Sequence, residues 1–210
     1  MTPPDRLAER LEQIPGSIEG DTREPLRAYL SLLSRWNRVY NLTASRDERD
    51  LIDRHLVDSL LLLPYLPAGP VTDLGTGAGL PGIPLAIADR SRRFLLVDSN
   101  LKKVRFLRQC CAELGLSNVE PRHSRVEELA PGVHQVLTAR AYAGLDRLLE
   151  LADRLLEPGG TLLAQKGESL EQEIAALPPE RVRPLTVHEL PSFSGTGKAR
   201  LVVYHAPSNP

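Results

Sequence analysis

Val71 to Ala88 reads VTDLGTGAGLPGIPLAIA. A short apolar run ends at Asp73, glycines follow at alternate positions (Gly75, Gly77, Gly79), and Leu80 to Ala88 is apolar again. That is the pattern of strand, tight turn and helix. Glycines at such a turn permit positive φ and let the backbone approach a ligand, while the first N–H groups of the following helix point at whatever occupies the turn. The stretch predicts a ligand-binding loop at the head of an α/β sheet.

The spacing Gly77-x-Gly79-x-x-Gly82 matches the dinucleotide fingerprint, and Asp98 lies where a ribose-binding acid is expected. Asp73, two residues before the first glycine, argues against a pyrophosphate, because a carboxylate beside the turn would repel it. S-adenosylmethionine, with an amino-acid end, a ribose, a sulfonium cation and no phosphate, suits D-x-G-x-G-x-G followed by an acid at the end of the next strand. The competing structural reading is a glycine-rich turn with no ligand.

Downstream of Val71, strand patterns alternate with helix patterns, as a parallel sheet requires. Strands are predicted at Val71 to Leu74, Phe94 to Asp98, Asn118 to His123, Val133 to Ala139 and Thr161 to Gln165. Helices are predicted at Leu80 to Asp89, Leu101 to Leu114 and Asp146 to Leu156. Right-handed crossovers then line up Asp73, Asp98, Ser124 to Glu127 and Arg140 along one edge of the sheet. After a helix at Ser169 to Leu177, two strand-like runs, Val182 to Leu190 and Ala199 to Tyr204, are joined by PSFSGTGK with no helix between them. A hairpin closing the sheet with an antiparallel strand is expected. The expected class is α/β, a seven-stranded Rossmann-like class I S-adenosylmethionine-dependent methyltransferase fold.

Upstream, residues 1–66 read as an N-terminal helical extension packed on a core domain at 71–206. Leu7, Leu11 and Ile14 share one face of a short helix that Pro15 and Gly16 end. Pro25 suits a first helical turn, and Leu26, Leu30, Leu33 and Trp36 carry an apolar face. Asn37 to Ser45 is a polar break, Asp47 to Leu63 a second amphipathic helix holding His55, Asp58 and Ser59, and Pro64 to Pro70 a linker.

The 210 residues allow one substantial domain, and 41% hydrophobic with 25% charged residues is an ordinary globular composition. No apolar stretch is as long as a membrane span, since Leu60 to Leu63 runs into Pro64. The N-terminus, MTPPDRLAERLE, lacks a signal-peptide core, which predicts a cytoplasmic protein. Cys110 and Cys111, the two cysteines, are adjacent and read as reduced thiols on a helix. No metal is expected. The net charge of −1 gives no general support to nucleic-acid binding. Its distribution is uneven: from Arg90 to Arg125 there are nine basic residues (Arg90, Arg92, Arg93, Lys102, Lys103, Arg105, Arg108, Arg122, Arg125) against three acidic ones (Asp98, Glu113, Glu120). A basic face for polyanionic RNA and a solvated helix surface are equally good readings of that run.

RWNRVYNLTASRDERDLIDRHLVDSL, DLGTGAGLPGIPLAI, LLVDSNLKKVRFLRQCCAELGLSNVE, RVEE, ARAYAGL and LLEPGGTLLAQKG together resemble the bacterial ribosomal RNA small subunit methyltransferase G family, also called glucose-inhibited division protein B. The likeness spans roughly Leu30 to Tyr204. The pairing of YNLTA and RHLVDSL with GLPGIPLAI is specific to that family, whereas D-x-G-x-G-x-G and EPGG occur across many methyltransferases. The resemblance implies an S-adenosylmethionine-dependent enzyme that methylates N7 of a guanine in small-subunit (16S) ribosomal RNA. The expected partner is that RNA or the small ribosomal subunit and no membrane; a monomer is expected, though no residue pattern in the sequence speaks to oligomeric state. It places the cofactor at Gly75 and Leu80 on the first loop, with Gly79 beside them, at Val126 and Glu127 next to the adenine, and at Arg140. By fold analogy Asp98 holds the ribose hydroxyls, and Asp73 and Gly77 face the methionine end. QKG stands where LKG is commoner, and the N-terminal segment is rich in proline.

Arg140, Arg125 and Lys166 are the candidates for phosphate or base contacts in the transfer, against the ordinary reading of surface or ion-paired cations. His55 and Asp58 read as packing the extension on the core, with the RNA entrance as the alternative. Asn41 is a candidate substrate contact, and His123 a strand-end histidine. A small-molecule methyltransferase remains the alternative reading, supported by the slightly negative charge. A cofactor-binding module without turnover comes third.

Overall fold

The structure is a computed structural model that describes residues 5–14, 22–45, 47–193 and 199–208. Pro15 and Gly16, the expected end of the first helix, and most of the PSFSGTGK connection lie outside the described residues. The alternation of apolar runs builds a seven-stranded sheet in the order β3-β2-β1-β4-β5-β7-β6. Its strands are β1 (Val71–Leu74), β2 (Phe94–Asp98), β3 (Val119–His123), β4 (His134–Arg140), β5 (Leu156–Lys166), β6 (Leu185–Leu190) and β7 (Ala199–His205). Strands β1 to β5 pair in parallel, and β7 runs antiparallel between β5 and β6, as the helix-free connection predicted.

Nine α-helical segments are described: α1 (Arg6–Leu11), α2 (Arg23–Tyr40), α3 (Glu48–Asp50), α4 (Asp58–Leu60), α5 (Gly82–Ala88), α6 (Leu101–Leu114), α7 (Leu145–Leu155), α8 (Leu170–Ala175) and α9 (Pro179–Val182). Period-two strand residues separate two cores. Leu163 and Val203 join Leu26, Leu33, Ile83 and Phe106 on one side, whereas Leu162, Ala164 and Val202 join Leu148, Leu151 and Leu155 of α7 on the other. The helical extension thus shares a core with α5 and α6, and its fully buried Tyr29 donates its hydroxyl to the carbonyl of Ala78 at 2.8 Å.

Five local readings are corrected, the first being that α2 runs through Tyr40, so the polar break expected from Asn37 begins at Asn41. The helix expected at Asp47 to Leu63 is α3, a π-helical stretch at Leu51–Val57, α4 and a 3-10 turn at Leu63–Tyr65 that takes up the start of the linker. The wide π turn brings the carbonyls of Arg54 and His55 to the Arg140 guanidinium, a tertiary partner that periodicity does not show. Strand β5 begins at Leu156 because EPGG bulges within it: Leu156 pairs with His134 and Thr161 with Val136, and Gly159 supplies φ +78°. Val182 closes α9 rather than opening β6. The helix expected at Ser169 to Leu177 is the shorter α8.

Candidate active site

The sheet reverses its order between β1 and β4, and the loops after β1 to β4 surround a cavity of about 410 Å³ at their carboxyl ends. Gly75, Asp98, Ser99, Lys103, Ser124, Arg125, Val126, Glu127, Ala141 and Tyr142 line it. Gly75, Asp98, Val126 and Glu127, four of the expected cofactor residues, therefore meet in one space, with Arg125 on its rim. Lys103, Ser99, Ala141 and Tyr142 are additions that sequence reasoning missed. Lys103 follows Asp98 by five residues across the start of α6, and Tyr142 stands in the quoted ARAYAGL, so both were adjacent to recognised positions.

Asp98 organises the first loop. Its Oδ2 accepts the Gly77 N–H at 2.9 Å, its Oδ1 accepts the Asn100 N–H at 2.8 Å, and Lys103 Nζ lies 3.7 Å from Oδ2. Each carboxylate oxygen has a second lone pair, so acceptor capacity remains for a ligand's hydroxyls. Gly77 has φ +62°, and a Cβ built there would meet nothing nearer than 3.8 Å, so this turn faces open space. At Gly75, φ +63°, a Cβ would stand 2.0 Å from the Tyr142 ring, so the ring lies directly over the loop. Glu127 accepts from Arg147 Nη2 at 2.9 Å, and a hydrogen bond from its own backbone, followed by the one from that cation, holds its carboxyl below the usual range. An apolar Val126 between two carboxylates, facing an open glycine turn, fits a nucleoside with an amino-acid tail.

Asp73 and Gly79 sit under the loop and do not line the cavity. Asp73 is fully buried: Oδ1 accepts from Thr138 Oγ1 at 3.0 Å and Oδ2 from the Gly82 N–H at 3.1 Å, and burial pushes its pKa up to about 6. The anion at the amino end of α5 is thus the protein's own carboxylate, which leaves no place there for a pyrophosphate. A Cβ on Gly79, φ +88°, would run into Ile83 and Leu107, so that glycine lets the loop close on α5 and α6. Leu80 is half-buried and packs against the same core.

Arg140 and Lys166 are held by protein partners. Arg140 Nη1 donates to the His55 carbonyl at 3.0 Å and to Ser59 Oγ at 3.3 Å, its Nη2 donates to the Arg54 carbonyl and to His55 Nδ1, the latter at 3.1 Å, and Asp58 lies 3.9 Å away. Burial lowers the pKa of Arg140 and raises that of Asp58 to about 6. Lys166 donates to the Ala143 carbonyl at 3.0 Å and pairs with Glu173 at 2.5 Å. Gln165, the departure from the commoner LKG, donates to the Asp58 carbonyl at 3.1 Å, a second tie between the sheet and the extension. His123 bridges β3 to the Ser99 carbonyl at 3.0 Å, as a strand-end histidine.

Much of the basic run from Arg90 to Arg125 is engaged internally. Arg92 binds Asp89 and the carbonyls of Pro67 and Gly69, Arg90 binds the Leu114 and Gly115 carbonyls, and Arg122 pairs with Glu120. Lys102, Arg105 and Arg108 stay exposed on α6. Both cysteines lie on α6 as expected, and burial raises both thiols, that of Cys111 to about 11, which keeps them protonated. Among the described residues no helix is long and apolar enough to cross a membrane.

A parallel sheet with an antiparallel seventh strand, and a nucleoside-sized cavity at the carboxyl ends of its first four strands, define a class I S-adenosylmethionine-dependent methyltransferase. Solved structures share the fold: a methyltransferase from Geobacter sulfurreducens (TM-score 0.60, 18% identity, covering 97% of this chain and 96% of that one) and a SAM-dependent methyltransferase from Aquifex aeolicus (TM-score 0.54, 17% identity, 82% and 97%). The chain matches the family described as rRNA small subunit methyltransferase G over residues 22–197, and the ribosomal RNA small subunit methyltransferase G of Halorhodospira halophila (strain DSM 244 / SL1) is 50% identical over 200 residues, 95% of this chain and 96% of that protein. This chain belongs to the rRNA small subunit methyltransferase G family.

Proposed function

We propose that the chain transfers a methyl group from S-adenosylmethionine to N7 of a guanine in small-subunit (16S) ribosomal RNA, in the cytoplasm and as a monomer. The observation that carries the reading is the meeting of Gly75, Asp98, Val126 and Glu127 in one strand-end cavity of a chain from this family. Bound S-adenosylmethionine supplies an electrophilic methyl group on a sulfonium cation. Asp98 is placed to hold ribose hydroxyls, Val126 and Glu127 to bracket the adenine, and Gly77 to give the amino-acid tail close access to the backbone.

Guanine N7 carries a lone pair and no proton, so the chain's residues have to orient the base and need not remove a proton from it. Holding the two reacting centres in line is then the main contribution. Methylation leaves a positive charge on the base, and Asp98 and Glu127 offset positive charge at the cavity. Arg125, exposed on the rim, suits a phosphate of the RNA backbone, with Lys102, Arg105 and Arg108 of α6 as further phosphate contacts. Arg140 acts from the end of β4, where it fixes the backbone that leads into Ala141 and Tyr142. Lys166 acts likewise at the end of β5, beside the Ala143 carbonyl. The described residues of the expected extension form the layer that covers this side of the sheet.

The test is transfer of labelled methyl to small ribosomal subunits lacking the modification, to protein-free small-subunit RNA and to unrelated RNA. Label confined to the small-subunit samples, with activity falling steeply as salt is raised, is expected. A chain that binds S-adenosylmethionine and labels none of the three moves the assignment to a small-molecule substrate.

A further inference from the structure

The side chain of His55 stands between two parts of the molecule that have no obvious reason to be joined. On one side its Nδ1 lies 3.1 Å from Arg140 Nη2. On the other its Nε2 lies 3.1 Å from Thr43 Oγ1 and 3.1 Å from Ser45 Oγ, in the polar loop after α2. A guanidinium only donates, so Nδ1 accepts and carries no proton. A neutral ring then carries its proton on Nε2, which donates to the two hydroxyl oxygens. Thr43 Oγ1 also accepts the Ser45 N–H at 3.0 Å, and its second lone pair is free for the ring.

Both ends are otherwise firmly built. Buried Asn37 donates to the Ser45 carbonyl at 2.7 Å and accepts the Thr43 N–H at 2.8 Å, which ties the loop to α2. Arg140 is followed by Ala141, at the uncommon φ of +49°, and by Tyr142, and both line the cofactor cavity. An anchor on Arg140 therefore sets where that wall stands. The charged groups near the ring are Arg140, Arg54 and Asp58; burial and the two cations bring the His55 pKa down to about 4, which keeps the ring neutral at physiological pH.

We propose that His55 is a positioning residue for methyl transfer: as the Nε2–H tautomer it seats Arg140 through Nδ1 and the Thr43 to Ser45 loop through Nε2, so that one ring sets both the cavity wall and the loop that begins at Asn41, the candidate substrate contact. The proposal rests on the methyl-transfer reading above. If it is correct, the two halves of the ring have separable effects.

Two conservative variants separate them. His55→Asn keeps an acceptor near the place of Nδ1 and loses the reach to the loop, whereas His55→Gln keeps a donor near the place of Nε2 and loses the acceptor for Arg140. Each is measured for S-adenosylmethionine affinity by calorimetry, for kcat and KM on unmodified small subunits, and for thermal midpoint. One hydrogen bond to a charged group is worth roughly a tenfold change, so His55→Gln is expected to weaken cofactor binding and lower kcat by about that factor. His55→Asn is expected to keep cofactor affinity within about twofold and to raise the KM for subunits by several-fold, a split that a purely packing role does not produce.

Thr43→Val combined with Ser45→Ala removes both Nε2 acceptors from a half-exposed loop without touching the core, and is expected to follow His55→Asn. Equal effects of Asn and Gln on all parameters, or an unchanged KM in the loop variant, overturn the proposal. Cofactor affinity needs no RNA: a wild-type chain that binds S-adenosylmethionine and methylates no RNA breaks the functional reading. The affinity contrast between Gln and Asn still judges His55 in that case.

Discussion

The carboxyl ends of β1, β2 and β3 open on a cavity, whereas on the same edge of the same sheet the last side chains of β4 and β5 are taken up by the protein, Arg140 and Gln165 by the helical extension and Lys166 by Ala143 and Glu173. At the open end Asp98 and Glu127 face the cavity. At the closed end Arg140, Gln165 and Lys166 are bound by the Arg54, His55 and Asp58 carbonyls, by the Ala143 carbonyl and by Glu173. A polar residue at a strand end can thus serve a ligand or serve the protein, and the element packed above it decides which. Asp73 makes the same point within one loop. It lies at the end of a strand adjacent to that of Asp98, yet it is enclosed by Thr138 and the amino end of α5.

The contrast is broken most forcefully at Arg140. Arg140→Ala leaves the Arg54 and His55 carbonyls without their donor and Asp58 without its cation. A loss of about 3–5 kcal/mol, lowering the thermal midpoint by roughly 10 °C, is expected together with a large drop in methyl transfer. Unchanged stability and unchanged turnover would remove Arg140 from both the site and the scaffold. Asp98→Ala comes next and behaves in the opposite way: cofactor affinity falls about 10- to 100-fold in calorimetry, while the midpoint barely moves, because the freed Gly77 and Asn100 N–H groups can turn to water. Asp73→Ala, by contrast, is expected to lower stability by about 1–3 kcal/mol in denaturant titrations before any effect on binding is seen.

The smallest effect is on pH. The raised pKa values of Asp58 and Asp73, each about 6, mean that the folded state binds their protons more tightly than the unfolded chain does. Their contribution to stability is fully present below the unfolded value of about 4 and is lost as pH rises through about 6. Asp58→Asn removes one of these titrations. Its midpoint, measured from pH 4 to 7, is expected to change less with pH than that of the parent; an identical profile would show that burial at the closed end is weaker than the geometry implies.

Much of this was legible in the chain. Residues that need only local pattern, such as the strand at Val71 to Leu74, the helix at Leu101 to Leu114 and the glycine turn between Asp73 and Gly79, stand where the periodicity put them. The helix-free connection before Ala199 was enough to place an antiparallel β7. What escaped depends on partners distant in sequence. The π-helical stretch at Leu51–Val57 faces a guanidinium 85 residues away along the chain, and the bulge in β5 shows only against Gln135 of β4. Around the cavity, β–loop–α topology fixes strand ends and so brought Gly75, Asp98, Val126 and Glu127 together, the positions that the family resemblance had named for the cofactor, whereas the directions of Asp73, Arg140 and Lys166 were set by Thr138, His55 and Glu173, which no spacing rule connects to them.

The central claim is that this site methylates a nitrogen that has no proton to lose, by holding it in line. The most direct measurement is strand cleavage at N7-methylguanine in small-subunit RNA that the chain has methylated with labelled S-adenosylmethionine. The account predicts that the label is lost at a single guanine and that the rate of transfer shows no basic limb between pH 6 and 9. Label that survives the cleavage chemistry, or a rate that climbs with the ionisation of a general base, would contradict it.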